Sequence, residues 1–199
     1  VLLTGFKDRI GPDRSGSAVS KLNGSSIVAS GMTANLSSIV LDDNDAGAEV
    51  VADALVGGGS WDIIVHVAEQ GDRLQQGVAV QAVSYVHKEG AGNASFRGDE
   101  DDLVVPSTID FGRLDLLRGV DRHGLPQPFQ WVRDNQDEDN IPGSTYFNTL
   151  TAAVARAGKP GGAPAPRVLL VLLHFGSSSS GSDDVTIVQE AARMVALSL

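Results

Sequence analysis

The sequence predicts an α/β protein, a three-layer α/β/α sandwich around a mostly parallel central sheet. Three observations carry that expectation. Strand-type and helix-type segments alternate almost throughout, the order that builds βαβ units. The runs "VLLTGF" (1–6), "WDIIVHVAEQG" (61–71) and "VLLVLLHF" (168–175) are nearly continuous apolar stretches, as strands buried on both faces require. The 199 residues, 42% of them hydrophobic, are enough for one sizeable core. A single domain over 1–199 is therefore expected.

Taken in order, residues 1–6 form a buried strand that ends at Gly5-Phe6. "SGSAVSKLNG" (15–24) reads as a short helix, with Ser15 as its cap and Asn23-Gly24 as its stop. The β-branched runs at 26–31 and 37–41 read as strands. "DAGAEVVADALVGGG" (45–59) reads as a helix that turns Val50, Val51, Ala54 and Leu55 inward. Residues 61–71 are the central strand, and "VAVQAVSYV" (78–86) alternates as another. Residues 87–107 become acidic and glycine-rich and read as a surface loop inserted in the domain.

Residues 110–124 have helical spacing, with Leu114, Leu117 and Val120 facing inward. "PFQWV" (128–132) reads as a strand, and 134–143 as a polar loop. "STYFNTLTAAVARAG" (144–158) reads as a helix with a glycine stop, and 159–166 as a linker. The strand at 168–175 is followed by the loop "GSSSSGSDD". An amphipathic helix at 184–199 closes the chain, with Ile187, Ala191, Met194 and Val195 at helical spacing.

Composition excludes several classes of function. Fifteen basic against twenty-five acidic residues give a net charge of −10, which argues against nucleic acid and anionic membrane surfaces as partners. The absence of cysteine rules out disulfides, thiolate metal sites and cysteine catalysis. The longest apolar run, "VLLVLL" at 168–173, is far shorter than a membrane span. No membrane insertion, metal or cofactor is expected, and the expected location is cytoplasmic. The first residue is Val1 rather than Met, so the lack of a targeting segment carries no weight.

In folds of this class functional groups gather at the carboxyl ends of strands. Three places qualify: Gly5–Gly11, Glu69–Arg73 and His174. His174 reads either as a catalytic imidazole at a strand tip or as a histidine bonded to backbone, the commoner case. His66, inside the central strand, reads as a satisfied core or rim histidine, and His87 and His123 lie beside loops. No two histidines have metal-ligand spacing. The acidic clusters Asp99–Asp102 and Asp134–Asp139 could attract calcium. "DDNDAGAEVVAD" (42–53) echoes a calcium loop at Asp42, Asn44 and Gly47, but Ala46 and Asp53 break the ligand pattern. It reads better as an acidic helix start, favoured by the helix dipole. The glycine clusters lack the spacing of phosphate-binding loops, and the serines of "GSSSSG" are not in a nucleophile-elbow setting.

Four blocks, in order along nearly the whole chain, resemble the pyroglutamyl peptidase type I (pyrrolidone carboxyl peptidase) family of cysteine peptidases. That family opens with VLVTGF, then E-P-F-G and N-P-S. Here "VLLTGF" matches, with Gly5, Phe6 and Ser15 kept. Its second block is a strand ending near H-V-G, followed by G-G-R-x-x-I-x-x-E-R-x-A. "HVAEQGDRLQQGVAVQAV" aligns without a gap, matching Gly71 and Arg73, and the family's catalytic Glu falls on Ala79. Its third block, D-A-G-x-Y-x-C-N, meets "NIPGSTYFN", where Gly143 and Asn148 match and the catalytic Cys falls on Phe147. Its fourth, a strand ending in H-V-P, meets "LHFG", which keeps His174 and loses the proline.

The resemblance implies a pyroglutamyl peptidase-like fold in which no triad is intact, because Ala79 and Phe147 replace two of its members. A phenyl ring cannot attack an amide, and a methyl group cannot orient an imidazole. The expected protein is thus a pseudoenzyme, a structural or adaptor subunit that binds protein partners within a larger assembly. The residues the resemblance assigns to the old ligand pocket are Phe6, Gln70, Gly71, Arg73, Gly143, Phe147, Asn148 and His174. Two other expectations stand beside it. One is a hydrolase that removes N-terminal pyroglutamate with substituted groups. The other is a small-ligand module with an open cavity between Phe6, Gln70, Phe147 and His174.

Overall fold

The computed structural model describes residues 1–7, 13–70, 78–81, 83–86, 103–110, 129–132, 141–174 and 181–197. Strand β1 (Leu2–Phe6) leads into helix α1 (Arg14–Leu22), then strands β2 (Ser26–Ala29), β3 (Met32–Asn35) and β4 (Ser37–Leu41). Helix α2 (Asp45–Val56) precedes β5 (Ile63–Gln70), β6 (Val78–Gln81), β7 (Val83–Val86), β8 (Leu103–Pro106) and β9 (Phe129–Val132). Helix α3 (Ile141–Ala157), strand β10 (Arg167–His174) and helix α4 (Gly181–Leu197) complete the chain.

The main sheet has the order β4-β1-β5-β10-β6-β9. The first four strands are mutually parallel. β6 runs antiparallel to β10 and parallel to β9. The sheet is thus mostly parallel, as expected. Helices α1 and α4 cover one face, packing Val19, Leu22, Val188 and Val195 onto Leu3, Val65, Leu169 and Val171. Helices α2 and α3 cover the other, packing Val51, Leu55, Tyr146 and Leu150 onto Leu2, Ile64, Val168 and Leu170. Consecutive strand residues go to opposite layers, as the twofold strand period dictates. This is the three-layer sandwich.

Several boundaries differ from the sequence reading, each for a local reason. Helix α1 is capped by Asp13, whose carboxylate accepts the Gly16 N–H at 2.8 Å, and not by Ser15, which is buried. The expected strand at 26–31 ends at Ala29 and a further strand follows at Met32–Asn35, because Ser30 and Gly31 take positive φ values of 50° and 77° and reverse the chain. Positive φ at both central residues is the hairpin-turn signature. In α2 the buried side is Gly47, Ala48, Val51 and Leu55, while Val50 is exposed and Ala54 only partly covered. Asn44 caps this helix and Asp45 sits in its first turn, so residues 42–53 are the acidic helix start.

The expected strand at 78–86 is divided. β6 stays in the main sheet, and β7 leaves it to pair with β8. The end of the expected 87–107 loop is therefore strand, while 87–102 lie outside the described residues. Helix α3 starts at Ile141, so "IPG" is helical and not loop. Helix α4 starts at Gly181 and takes in the last part of the expected serine loop. The expected helix at 110–124 lies outside the described residues from 111 onward. Ile187, Ala191, Met194 and Val195 are all buried, as their spacing predicts.

The tightest crossing in the α1 layer is at Gly5. A Cβ there would stand 2.6 Å from the Ser15 carbonyl and the Gly16 nitrogen, which are backbone atoms that cannot swing aside. Gly5→Ala is therefore expected to force α1 off the sheet and cost about 1–3 kcal/mol. Urea unfolding should show a lower midpoint with an unchanged slope.

Candidate functional site

The carboxyl edge of the parallel strands is built around Glu69, near the end of β5. Its carboxylate accepts the N–H groups of Arg14 (2.9 Å) and Ser15 (3.3 Å), and so caps α1 from another element. Ser15 Oγ accepts the Phe6 N–H at 3.0 Å and donates to the Phe6 carbonyl at 3.2 Å, pinning the same turn to the end of β1. Arg14 forks onto Asp184 in the first turn of α4, Nε to Oδ2 at 2.9 Å and Nη2 to Oδ1 at 2.6 Å. The Asp184 carboxylate holds the Arg14 pKa further up, and Glu69 adds to this. Glu69, Arg14 and Asp184 thus lock α1 and α4 over the end of β5. The position of Glu69 at a strand tip was visible in the sequence. Its partners were not, because they lie 54 and 55 residues away, and the Arg14–Asp184 pair that completes the lock spans 170.

The four sequence blocks meet at this same edge. β10 lies between β5 and β6, with His174 in register with Gln70. Leu172, two residues before His174, is in register with Ala79 on β6. Ala79, His174 and Gln70 are thus carried by three adjacent strands. Helix α3 packs across β5 and β10 and carries Gly143 in its first turn and Phe147 in its second. Phe147 is 9% exposed. Phe6 is buried in the cluster that holds Tyr146 and Leu150. Asn148 donates its side-chain amide to the Ala48 carbonyl at 3.4 Å, joining α3 to α2. Thr145 is buried and donates its hydroxyl to the Ile141 carbonyl at 2.8 Å, while Ser144 is exposed. Gly71 and Arg73, the histidines at 87 and 123, and the acidic clusters at 99–102 and 134–139 lie outside the described residues.

Among solved structures, pyroglutamyl peptidase I from Bacillus amyloliquefaciens superposes with a TM-score of 0.67 at 19% identity, over 98% of this chain and 93% of that one. The chain has the pyroglutamyl peptidase I fold. Pyrrolidone carboxyl peptidase from Thermococcus litoralis superposes with a TM-score of 0.68 at 12% identity, over 98% and 92%. A point mutant of pyrrolidone carboxyl peptidase from the hyperthermophile Pyrococcus furiosus gives 0.66 at 14%, over 98% and 97%. At these identities the likeness is one of fold. No protein-family model matches the sequence, and no curated protein does. Among the described residues no helix is long and apolar enough to cross a membrane, and no group of three or more acidic residues or histidines is placed to hold a metal ion.

Within this pyroglutamyl peptidase fold His66 is a core residue, the first of the two places its position inside the central strand left open. It is fully buried, with Nδ1 2.7 Å from Thr4 Oγ1 and Nε2 3.1 Å from Thr149 Oγ1. Thr4 is its register partner on β1, and Thr149 lies on α3. Tyr146 meets the ring edge-on at a centroid distance of 6.4 Å. Burial pushes the Tyr146 phenol up to about 12, against the smaller opposing effect of its bond to Ser107. Burial also pushes the imidazole from its usual 6.5 down to about 3. Between those two imidazole values the unfolded chain binds a proton that the folded chain refuses. Stability therefore falls as pH drops through the window, by about 1.4 kcal/mol per pH unit from this group. Urea unfolding of His66→Gln, compared with the natural protein from neutral pH down to pH ~4, should show this part of the acid-side slope removed.

Proposed function

We propose that the protein is a non-catalytic scaffold with the pyroglutamyl peptidase fold, a structural or adaptor subunit that acts through protein–protein contacts. The observation that carries this reading is Phe147. It occupies the position that the motif alignment assigns to the nucleophile, on a helix packed across β5 and β10, and it is buried. A buried phenyl ring offers no lone pair and no titratable proton, so it can neither attack nor be activated. Ala79, on the strand beside His174, offers no carboxylate to orient an imidazole. Loss of the nucleophile from a coupled triad costs on the order of 10⁶ in rate. The buried hydroxyls on either side of Phe147 are already engaged, Thr145 with the Ile141 carbonyl and Thr149 with the His66 ring, which weighs against a substituted nucleophile there.

The test is release of a fluorescent amine from a pyroglutamyl-amide substrate. The natural protein is expected to be inert, and the Phe147→Cys, Ala79→Glu double variant to gain measurable hydrolysis. Turnover by the natural protein at an enzyme-like rate would overturn the proposal.

A further inference from the structure

One surface of this molecule is unlike the rest. Residues 22–41 contain no Asp, Glu, Lys or Arg, the longest uncharged stretch in a chain that carries −10 overall. β2 is anchored there through Ile27 and Ala29 in the cluster under α1 and α4, whereas β3 packs mainly on β2. Met32, Thr33 and Asn35 on β3 are exposed, and so is Val28 on β2. Strand edges are ordinarily protected by a charged side chain, a proline or a bulge that turns the edge away. The hairpin sequence "SIVASGMTAN" has no charge and no proline.

The same stretch carries two of the chain's three Asn-x-Ser acceptor sequences, Asn23-Gly24-Ser25 and Asn35-Leu36-Ser37. The third, Asn93-Ala94-Ser95, lies outside the described residues. The fold lays the first two side by side. The Gly24 N–H donates to the Leu36 carbonyl at 3.0 Å, and the Leu36 N–H to the Ser25 carbonyl at 2.9 Å. The two asparagines are not equivalent. Asn23 closes α1, and its side-chain oxygen accepts the Ser38 N–H at 3.0 Å. Asn35 is exposed, and among the described residues its side chain makes no hydrogen bond.

We propose that Asn35 is an N-glycan acceptor, and that the sugar protects the β3 edge that charge and proline leave open. In the transfer, Asn35 Nδ2 attacks the anomeric carbon of an oligosaccharide linked to a lipid diphosphate. The N–C bond forms as the C–O bond to the diphosphate breaks. The lipid diphosphate leaves with the electron pair, and a base on the transferase takes one amide proton. A bulky, hydrated sugar needs an exposed attachment point. Asn35 supplies one without disturbing a contact, whereas a sugar on Asn23 would crowd the bond that holds Ser38. The reaction belongs to the lumen of the secretory pathway, so the proposal replaces the cytoplasmic location expected from the sequence. A chain without cysteine has no thiol to mispair in that oxidising compartment. The inference does not depend on whether the chain is catalytic, since the hairpin sits on the α1/α4 side of the sheet and α3 on the other.

The test uses the full chain purified from the cells that make it, digested with peptide N-glycosidase F in heavy-oxygen water. That enzyme removes an N-linked sugar and leaves an isotope-labelled aspartate where the asparagine stood. The natural protein should run faster on a denaturing gel after digestion, with the label found at Asn35 by peptide mass spectrometry. Asn35→Gln and Ser37→Ala should each abolish the shift, the second with the acceptor amide intact. Asn23→Gln should keep the label at Asn35. Asn35→Gln should unfold at the natural urea midpoint, because the side chain is exposed, yet have a lower solubility limit than the glycosylated protein. A natural protein unchanged by digestion overturns the proposal. So does a sugar confined to Asn23 or Asn93, or one that survives Ser37→Ala. An Asn35→Gln protein as soluble as the natural one overturns the protective role.

Discussion

Strands β5 and β10 pair in parallel from Ile63–Arg167 to Gln70–His174 and are covered by helices on both faces. Water does not reach their central residues, so every polar atom buried there needs a partner from within the protein. That demand places much of the remaining structure. On one face the His66 ring needs two hydroxyls, and these tie β1 and α3 to the central strand. On the other face the Glu69 carboxylate needs N–H donors, and the first turn of α1 supplies them. Arg14 from that same turn reaches Asp184 and brings α4 into place. Apolar burial drives the layers together, but it is non-directional. The few buried polar contacts set where along the strands each helix begins.

This division explains how the fold persists at 12–19% identity to the peptidases it superposes on. A doubly covered parallel sheet asks mainly for apolar volume in the right period, and many side chains satisfy that. A catalytic triad asks for particular chemical groups. The first requirement is met here throughout the described core. On the proposed reading, two of the three positions that the motif alignment gives to a triad, Ala79 and Phe147, carry side chains that cannot do its chemistry. Phe147 adds apolar volume to a helix already committed to packing, so a phenyl ring there is compatible with a stable α3. On the proposed reading the surface has fewer obligations to a substrate. Its distinctive features are the acidic excess of the chain and one uncharged hairpin.

The sequence was legible where burial is symmetric and periodic. The runs at 61–71 and 168–175 predicted β5 and β10 to within two residues at either end, and the spacing of Ile187, Ala191, Met194 and Val195 predicted the buried face of α4. It was less legible where a short segment changes partner. β3 was hidden because "GMTAN" has neither apolar run nor clean alternation, and only the Ser30-Gly31 turn reveals it. The separation of β6, ending at Gln81, from β7, starting at Val83, was hidden because 78–86 reads as one strand, and leaving one sheet for another has no sequence period. The start of α3 was missed by a turn because Ile141-Pro142-Gly143 resembles a loop, although proline is well tolerated in a first helical turn.

For the site, the sequence alone determined which chemical groups stand at each position. It has no cysteine anywhere, a phenyl ring at 147, a methyl group at 79 and an imidazole at 174. These are covalent facts that no folding alters. Only the tertiary structure decided what those groups can meet. It carried Ala79, His174 and Gln70 on adjacent strands, buried Phe147, turned Asn148 toward Ala48 and engaged the Thr145 hydroxyl inside its own helix. The physical reason is range. Side-chain chemistry is local, whereas register between strands and the choice of hydrogen-bond partner join residues up to 170 positions apart.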